Sequence, residues 1–219
     1  MTTADTETPA LEQPGRDCAL CPRLVDFRAA QRRAYPDWHN APVPSFGGLG
    51  ARLLIVGLAP GLKGANRTGR PFTGDYAGDL LYATLTQFGF ARGDYAASKD
   101  DGLELIDCRI SNAARCVPPE NKPLPEEVAA CRHFLASEIA AMPKLRAILA
   151  LGQVSHGAVL AALGRKKSAF PFGHGAVHLL ADGKILADSY HCSRYNTNTG
   201  KLTTPMFEAV FKELKKRLA

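Results

Sequence analysis

Long hydrophobic runs are absent from this 219-residue chain, and no stretch approaches the ~20 apolar residues that a membrane-spanning helix needs. The polar first 15 residues also lack the apolar centre of a secretory signal peptide. Hydrophobic residues make up 46% and charged residues 22% of the chain, which is the composition of a globular protein. We therefore expect a cytoplasmic protein that does not bind membranes, with residues 1–15 disordered and residues 16–219 folded as one domain.

Acidic residues are scarce outside the N-terminal segment. Residues 1–15 hold three acidic residues and no Lys or Arg. The rest of the chain therefore contains 27 basic and 18 acidic residues. A globular body with nine surplus positive charges suits a polyanionic partner such as nucleic acid. Many proteins without such a partner are equally basic, so charge alone does not decide between these alternatives.

Strand and helix patterns alternate from residue 52 onward. Short apolar runs predict strands at residues 52–56, 105–110 and 146–151. Apolar residues at helical spacing predict helices at residues 75–88, 125–141 and 153–163, and an amphipathic helix at 207–218. Asp182-Gly183 is a two-residue hairpin signal between residues 176–181 and 184–189, near the last strand. The alternation predicts an α/β domain whose mostly parallel sheet is covered by helices on both faces.

A ligand site is expected where the predicted strands end, because parallel sheets bind ligands beyond the carboxyl ends of their strands. These ends are the segments 57–61, 111–112, 152–153 and 190–191. We expect the four loops to converge.

Six cysteines are present: Cys18, Cys21, Cys108, Cys116, Cys131 and Cys192. In a cytoplasmic chain they stay reduced, and metal ligation is favoured over disulfides. The Cys18–Cys21 pair and two distant cysteines can form a four-thiolate site, and the spacing does not decide between zinc and an iron–sulfur cluster. Cys131 lies on the apolar stripe of its helix, so it also fits the role of a small buried hydrophobic residue.

Several segments together resemble one enzyme family. They are Gly57-Leu-Ala-Pro-Gly61, Gly69-Arg-Pro-Phe-Thr-Gly74, Ile110-Ser-Asn-Ala-Ala-Arg-Cys-Val-Pro-Pro119, Ala150-Leu-Gly152 and His191-Cys-Ser193. In that order, with Cys18 and Cys21 ahead of them, they resemble the iron–sulfur uracil-DNA glycosylases. The Gly-Leu-Ala-Pro-Gly segment, with Asp75 after Gly74, is similar to the B-type, or fifth, family. The resemblance covers the chain from Cys18 onward.

A sister iron–sulfur family has Glu where Leu58 stands and Pro where Cys192 stands, so its mechanism does not carry over to this chain. The resemblance implies a four-stranded parallel sheet flanked by helices. It also implies a structural [4Fe-4S] cluster, held by Cys18, Cys21, Cys116 and Cys131.

The implied activity is hydrolysis of the N-glycosidic bond of uracil, and of a broader range of deaminated or damaged bases, in DNA. The implied partner is lesion-containing duplex DNA, and we expect a monomer located with the nucleoid. No lysine stands where a Schiff-base nucleophile is expected, so we predict a monofunctional enzyme. The alternative is a non-catalytic nucleic-acid-binding module with a structural four-cysteine metal site.

The target base must leave the duplex and enter a pocket. Phe72 is predicted to stack on the base, although it also fits a core residue that anchors its loop. Asn112 is predicted to pair its amide with O4 and N3 of uracil, although a turn-capping role is the alternative. Backbone N–H groups near Leu58, Ala59 and Gly61 are predicted to contact the base or a water. This loop lacks the Gly-Lys-Ser/Thr ending of a nucleotide-binding loop, which argues against nucleotide binding.

Two side chains are predicted to be catalytic. His191 is placed to donate a hydrogen bond to O2 as the departing base becomes anionic, although a lone His is more often structural. Asp75 is the nearest carboxylate that can orient or deprotonate the attacking water. Its position at a helix N-terminus predicts that it stays charged at neutral pH, and a plain N-cap is the alternative.

Basic side chains in predicted loops are candidates for neutralising DNA phosphates. They are Arg67, Arg70, Arg165, Lys166, Lys167, Arg194 and Lys201. Tyr195 is the candidate for filling the gap that the flipped base leaves in the duplex.

Overall fold

A computed structural model describes residues 9–219, which form seven β-strands and seven α-helices. The strands are β1 (Leu53–Gly57), β2 (Ala91–Arg92), β3 (Glu104–Leu105), β4 (Cys108–Asn112), β5 (Ala147–Leu151), β6 (Val177–Leu179) and β7 (Ile185–Ser189). The helices are α1 (Pro22–Ala34), α2 (Ala65–Thr68), α3 (Tyr76–Gln87), α4 (Pro125–Ala140), α5 (Gln153–Ala162), α6 (Arg194–Asn198) and α7 (Thr204–Leu218). Among these described helices, none has the length and apolar character needed to cross a membrane.

The predicted disordered segment is described only in part. Residues 1–8 lie outside the described residues. In the described part, the backbone N–H of Glu12 donates to Ser137 Oγ on α4 at 2.8 Å. The disorder of the whole segment therefore stays a prediction, as does the domain boundary at residue 16.

Five strands form the central sheet in the order β4-β1-β5-β7-β6. The first four run parallel, and β6 pairs antiparallel with β7 at the edge. Every residue of β1, β4 and β5 is buried, as expected for parallel strands that are covered on both faces. The predicted α/β fold, with four parallel strands and a hairpin near the last of them, is confirmed.

Alternate residues of the strands face two separate cores. Leu53 and Ile55 of β1 face the core formed with α3 and α7, whereas Leu54 and Val56 face the core formed with α4 and α5. Helices therefore cover both faces of the sheet, because the side chains of a strand alternate between its two sides.

Two local predictions need correction. The strand predicted at residues 105–110 begins only at Cys108, because Asp107 has a left-handed backbone (φ 53°) that ends β3 and separates it from β4. The turn near Asp182-Gly183 is longer than two residues, since the N–H of Leu180 donates to the carbonyl of Lys184 and that of Gly183 to the carbonyl of Leu180. Only Gly183 of this turn has a positive φ (82°). That is a three-residue loop, in which a type I turn is followed by a left-handed glycine.

A buried polar network fixes the chain after β4 against α4. Glu138 Oε1 accepts from Arg109 Nε at 2.6 Å, and Glu138 Oε2 accepts from Ser111 Oγ at 2.6 Å. Arg115 adds a longer ion pair to the same carboxylate at 3.3 Å. The network holds the segment between Ser111 and Arg115 in one position. Asn112 lies within that segment.

Replacing Glu138 is expected to be strongly destabilising. Glu138→Ala leaves the buried guanidinium groups of Arg109 and Arg115 without their carboxylate, so the free energy of unfolding should fall by about 3–5 kcal/mol. Urea denaturation followed by circular dichroism measures this, with the exposed Glu126→Ala of the same helix as the control. A change below 1 kcal/mol would show that the network is dispensable.

Candidate active site

The carboxyl ends of the parallel strands bring the predicted pocket residues together. Gly57 at the end of β1 is in register with Asn112 at the end of β4. A Cβ atom at Gly57 would overlap both Asn112 Oδ1 and the ring of Phe72, so only glycine allows this close approach. At the next strand, a Cβ atom at Gly152 would lie 3.6 Å from His191 Cβ.

A slot with one flat apolar wall results. The rings of Phe72 and His191 lie with centroids 5.8 Å apart and planes 26° apart. Asn112 Oδ1 is buried and has no hydrogen-bond partner among the described residues. Because an unpaired buried acceptor is costly, this oxygen fits a ligand that brings its own N–H donor. Phe72 is itself largely buried and also closes the core beneath the slot.

The loop that carries Phe72 is strained and firmly held. Phe72 has a positive φ (54°), which a bulky side chain rarely adopts. The hydroxyl of Tyr95 donates to the Phe72 carbonyl at 3.3 Å and accepts from the N–H of Gly74 at 3.1 Å. The hydroxyl of Tyr82 donates to the carbonyl of Pro71 at 2.6 Å. Such restraints hold the aromatic ring in one position.

The position of Arg70 contradicts the prediction that this residue contacts DNA. Its guanidinium is buried and makes two 2.7 Å hydrogen bonds to the carboxylate of Asp101. It lies over three aromatic rings, those of Phe46, Tyr82 and Tyr95, at 5.1–5.8 Å. The Arg70 hydrogen bonds hold the pKa of Asp101 well below its ordinary value. Arg70 therefore supports the Phe72 loop from within and is not available to a phosphate.

Asp75 caps helix α3 and also faces the first loop. Its Oδ1 accepts from the N–H of Gly78 at 3.2 Å, which is the N-cap geometry. Its Oδ2 lies toward Gly61 and Gly64, and a Cβ atom at Gly61 would be 3.0 Å from it. Burial raises the pKa of Asp75 and outweighs the N–H groups of Gly78 and Ala77, which lower it. The helix N-terminus favours the ionised form, as the sequence predicted, and desolvation is the opposing effect that the sequence did not reveal.

The first loop offers backbone donors next to this carboxylate. Leu58, Ala59 and Gly61 are partly exposed. The carbonyl of Leu58 is taken by the N–H of Ala114. In the described part of the chain, the N–H groups of Ala59 and Gly61 have no acceptor. Both N–H groups can therefore donate to a ligand or a water, and Gly61 is the residue that lies beside Asp75 Oδ2.

His191 is an uncharged ring at neutral pH. Burial lowers the pKa of its imidazole to about 4. Its backbone carbonyl accepts from Asn196 Nδ2 at 2.8 Å, which anchors the segment to α6. The following residue, Cys192, is buried, and its thiol lies 3.4 Å from the carbonyl of Ala77 in the first turn of α3. Cys192 thus joins the strand end that carries His191 to the helix that Asp75 caps.

The four cysteines predicted as ligands lie near one another and form no disulfide. Burial and the neighbouring thiolates of Cys131 and Cys18 raise the pKa of Cys21 to about 11. Burial also raises the pKa of Cys116 to about 11, and Cys131 and Cys18 contribute. The fold thus brings together four thiol groups from three parts of the chain, which are the N-terminal segment, the chain after β4 and helix α4.

The spacing of the sulfur atoms suits a large group better than a single ion. A zinc tetrahedron with 2.3 Å bonds places its sulfur atoms about 3.8 Å apart. Among residues 9–219, however, no three cysteine sulfurs lie within 4.8 Å of one another. This separation argues against a single zinc ion, and four cysteines are also the donor set of an iron–sulfur cluster.

Arg28 is a positively charged residue that contacts two of these cysteines. It is buried, and no described carboxylate forms an ion pair with it. Its Nη1 lies 3.5 Å from Cys116 Sγ, and its Nη2 donates to the carbonyl of Cys18 at 2.8 Å. A buried guanidinium needs a negative partner, and the thiolate forms of these cysteines can supply that charge.

The sequence of this chain is similar to a known protein family and to several of its members. Residues 44–215 match the family model described as the uracil DNA glycosylase superfamily. The chain belongs to the uracil-DNA glycosylase superfamily. It is 46% identical over 205 residues to a type-5 uracil-DNA glycosylase of Thermus thermophilus, covering 91% of this chain and 93% of that protein. It is 42% identical over 200 residues to a type-5 uracil-DNA glycosylase of Pyrobaculum aerophilum, covering 90% and 87%.

A type-4 uracil-DNA glycosylase of Pyrobaculum aerophilum is also similar, at 38% identity over 125 residues, but covers only 57% of this chain and 56% of that protein. The predicted resemblance to the fifth family of this superfamily is confirmed.

In this uracil-DNA glycosylase family member, the predicted DNA contacts fall into two groups. Arg67, Arg194 and Tyr195 lie in short helices at the slot, where loops were predicted. A Cβ atom at Gly74 would lie 2.9 Å from Arg67 Nη2, and the Arg194 guanidinium lies 5.3 Å from the ring centroid of Tyr76. Tyr195 is 74% exposed.

The second group lies farther from the slot. Arg165 and Lys166 follow the far end of α5, about 15 Å along that helix from the strand ends. Lys167 begins a short 3-10 helix, and its side chain lies back against Gly157 of α5. Lys201 belongs with the first group, because its Nζ lies 4.9 Å from the ring centroid of Tyr190, the residue before His191.

Sequence reasoning missed the residues that support the site. Arg28, Tyr95 and Asp101 contact site residues from positions that no motif marks. Arg28 and Cys116, for example, are 88 residues apart, so no local pattern connects them.

Proposed function

We propose that this chain removes uracil from DNA by hydrolysing its N-glycosidic bond, as a monofunctional glycosylase of base excision repair. The observation that carries the proposal is the buried, unpaired Oδ1 of Asn112 beside the rings of Phe72 and His191. An acceptor and a flat wall at this position suit a planar base with an N–H group, and the family membership supports the same activity.

Recognition of the flipped base begins at the slot. Asn112 Oδ1 accepts from N3–H of uracil, and its Nδ2 donates to O4. Cytosine has no N3–H, so the same amide would leave Oδ1 unpaired and disfavour it. Phe72 stacks on the base face. Because its loop is held by Tyr82, Tyr95 and Arg70, little ordering is required when the base binds.

Bond cleavage is divided between His191 and Asp75. The neutral imidazole of His191 donates to O2 as negative charge develops on the departing base, which stabilises the transition state more than the ground state. Asp75 Oδ2 orients or deprotonates the attacking water and offsets the positive charge on the sugar. A raised pKa makes Asp75 a better base than an exposed aspartate, as long as it remains ionised.

A broader substrate range belongs to the same proposal. The first loop presents the apolar Leu58 and backbone groups, with no charged side chain, to the space beside Asp75. Backbone donors do not select one exocyclic group, so other deaminated bases such as hypoxanthine fit the same chemistry. No lysine takes part in the slot, and we propose no strand cleavage.

A [4Fe-4S] cluster bound by Cys18, Cys21, Cys116 and Cys131 is the proposed cofactor. When bound, it supplies structural cross-links between the N-terminal segment, the chain after β4 and helix α4. Cys116 follows Asn112 by four residues, so the cysteine also anchors the segment that recognises the base.

Arg28 provides a test of this cofactor that does not depend on activity. Arg28→Met removes the positive charge and both hydrogen bonds beside the thiolates, and replacing such outer contacts typically weakens metal binding about 10–100-fold. Iron should therefore be extracted by a chelator correspondingly faster, as followed by loss of visible absorbance. The exposed Arg33→Met, in the same helix, is the control and should behave like the wild type. Equal extraction rates for both variants would contradict this role.

Contacts to duplex DNA are proposed for the exposed basic residues around the slot. Arg67 and Arg194 neutralise phosphates beside the flipped nucleotide, and Tyr195 fills the gap in the base stack. Lys201 contacts a phosphate near the slot, and Arg165, Lys166 and Lys167 contact phosphates farther along the duplex. We infer a monomer that works at the nucleoid.

The deciding experiment is base release from a labelled duplex with one uracil, with and without alkali. We expect strand breaks only after alkali, because a hydrolytic glycosylase leaves an intact abasic site. Asn112→Asp, purified identically, controls for a contaminating host enzyme and should show a large loss. Absence of release from uracil, hypoxanthine and mismatched thymine by the folded, iron-loaded protein would favour the non-catalytic binding module instead.

A further inference from the structure

A second group of metal-ligating side chains lies away from the slot and the cysteines. His156 of α5, His178 of β6 and Asp188 of β7 place one ligand atom each within 4.8 Å of the others. In the region spanning residues 9–219, no other three His, Cys, Asp or Glu side chains meet this closely. Asp188 and His156 are buried, and the side chain of His178 is 15% exposed. The glycosylase chemistry proposed above uses none of the three.

Hydrogen bonding around His156 requires a proton or a cation between His156 and Asp188. His156 Nε2 lies 2.8 Å from the carbonyl oxygen of Phe170, which only accepts, so Nε2 carries a proton. His156 Nδ1 lies 2.7 Å from Asp188 Oδ1. A neutral ring would point the lone pair of Nδ1 at a carboxylate oxygen, so either a second proton or a cation must lie there.

His178 distinguishes the proton from the cation. Its Nε2 is buried, lies 3.5 Å from Asp188 Oδ2 and has no hydrogen-bond partner among the described residues. A second proton on His156 satisfies the contact to Asp188 but leaves His178 Nε2 unpaired, which buried nitrogens rarely are. One cation bonded to each donor at about 2.0–2.1 Å satisfies both histidine nitrogens and the carboxylate together, once His156 Nδ1 and Asp188 Oδ1 separate from 2.7 Å to about 3.3 Å.

The surroundings also fit a bound metal ion. A histidine that ligates a metal commonly donates its other N–H to a backbone carbonyl, as His156 does to Phe170. The N–H of Gly173 lies 3.4 Å from Asp188 Oδ2 and orients the carboxylate. The rings of Phe172 and Phe170 pack edge-on against His156 and His178 at 5.6 and 5.7 Å. This apolar shell limits water and suits a structural ion.

We propose that His156 Nδ1, His178 Nε2 and the Asp188 carboxylate bind one divalent cation, with zinc preferred, that pins helix α5 and edge strand β6 to β7. Two imidazoles and a carboxylate form a donor set that zinc uses in proteins. The site is independent of the glycosylase activity and of the cysteine ligands.

Metal content tests the proposal on the iron-loaded protein. We expect the anaerobically purified wild type to hold about one zinc per chain in addition to its iron, by plasma mass spectrometry. His178→Gln, at the rim of the group, should lose the zinc and keep the iron. His133→Gln replaces an exposed histidine of α4 and should keep both metals. Zinc bound at the cysteines would appear together with a loss of iron, so the two sites are distinguishable.

Thermal unfolding gives a second readout. After dipicolinate treatment, zinc sulfate at about 100 times its dissociation constant should raise the Tm of the wild type by about 5–10 °C. The Tm of His178→Gln should not change, while uracil release by that variant stays at the wild-type rate. A wild type that binds no zinc and shows no Tm shift, or equal zinc uptake by His178→Gln, would overturn the proposal. His156 and Asp188 would then be a buried pair that shares one proton.

Discussion

Asp75→Asn is expected to fold, keep its iron and bind DNA, yet to release uracil at least about 10²-fold more slowly than the wild type. Asparagine caps a helix about as well as aspartate, so the hydrogen bond from the N–H of Gly78 is retained. It cannot take a proton from water or offset the positive charge on the sugar. The single-turnover rate on a uracil-containing duplex measures the effect.

Two matched variants separate catalysis from capping. Asp75→Ala removes both roles and should additionally cost about 1 kcal/mol of stability. Asp79→Asn changes an exposed acid in the first turn of the same helix and should leave the rate nearly unchanged. Near-normal cleavage by Asp75→Asn would reduce Asp75 to an N-cap and leave the attacking water without an activator.

The pH dependence of the rate follows from the same carboxylate. Asp75 acts as a base only when ionised, so the single-turnover rate should rise with pH and then level off. Because burial raises its pKa, the midpoint of this rise should lie above the ordinary aspartate value of 3.8. The residual rate of Asp75→Asn should lack this limb, and an identical limb in that variant would assign the titration to another group.

His191→Ala is expected to lower the single-turnover rate by about 10²–10³-fold while changing DNA affinity little. The hydrogen bond from the ring strengthens only as the base becomes anionic, so its loss raises the barrier more than it weakens binding. His191→Gln retains an N–H donor and should recover part of the rate. Measurement of both the rate and the DNA dissociation constant separates these effects. A full rate in His191→Ala would make this histidine structural.

Stability offers an independent check on His191. Its pKa is about 4 when folded, against 6.5 for an ordinary histidine. Between these values the unfolded chain binds a proton at this residue that the folded chain does not. The stability gained by burying the neutral ring is therefore fully present above pH 6.5 and is lost as the pH falls toward 4. The free energy of unfolding of His191→Gln should decline less over this range than that of the wild type.

Local patterns in the sequence determined most of the architecture. Apolar runs and helical spacing predicted the positions of β1, β5, α3, α4, α5 and α7, because burial on both faces of a sheet imposes those patterns on short segments. The strand-end rule and the family motifs then placed Phe72, Asn112 and His191 at one site, and the structure brings their side chains together. These features depend on residues that are close in sequence or on the order of the motifs.

Properties that depend on distant neighbours were decided only by the tertiary structure. Arg70 looked like a surface contact for DNA, but Asp101 and three aromatic rings enclose it. Asp75 was expected to stay charged at neutral pH because it caps a helix, and only the structure shows that packing against the first loop desolvates it and raises its pKa. The approach of four cysteines from three parts of the chain, and the meeting of His156, His178 and Asp188, likewise arise from packing between separate elements. Burial and charge pairing are sums over contacts from distant segments, and no local sequence pattern encodes such a sum.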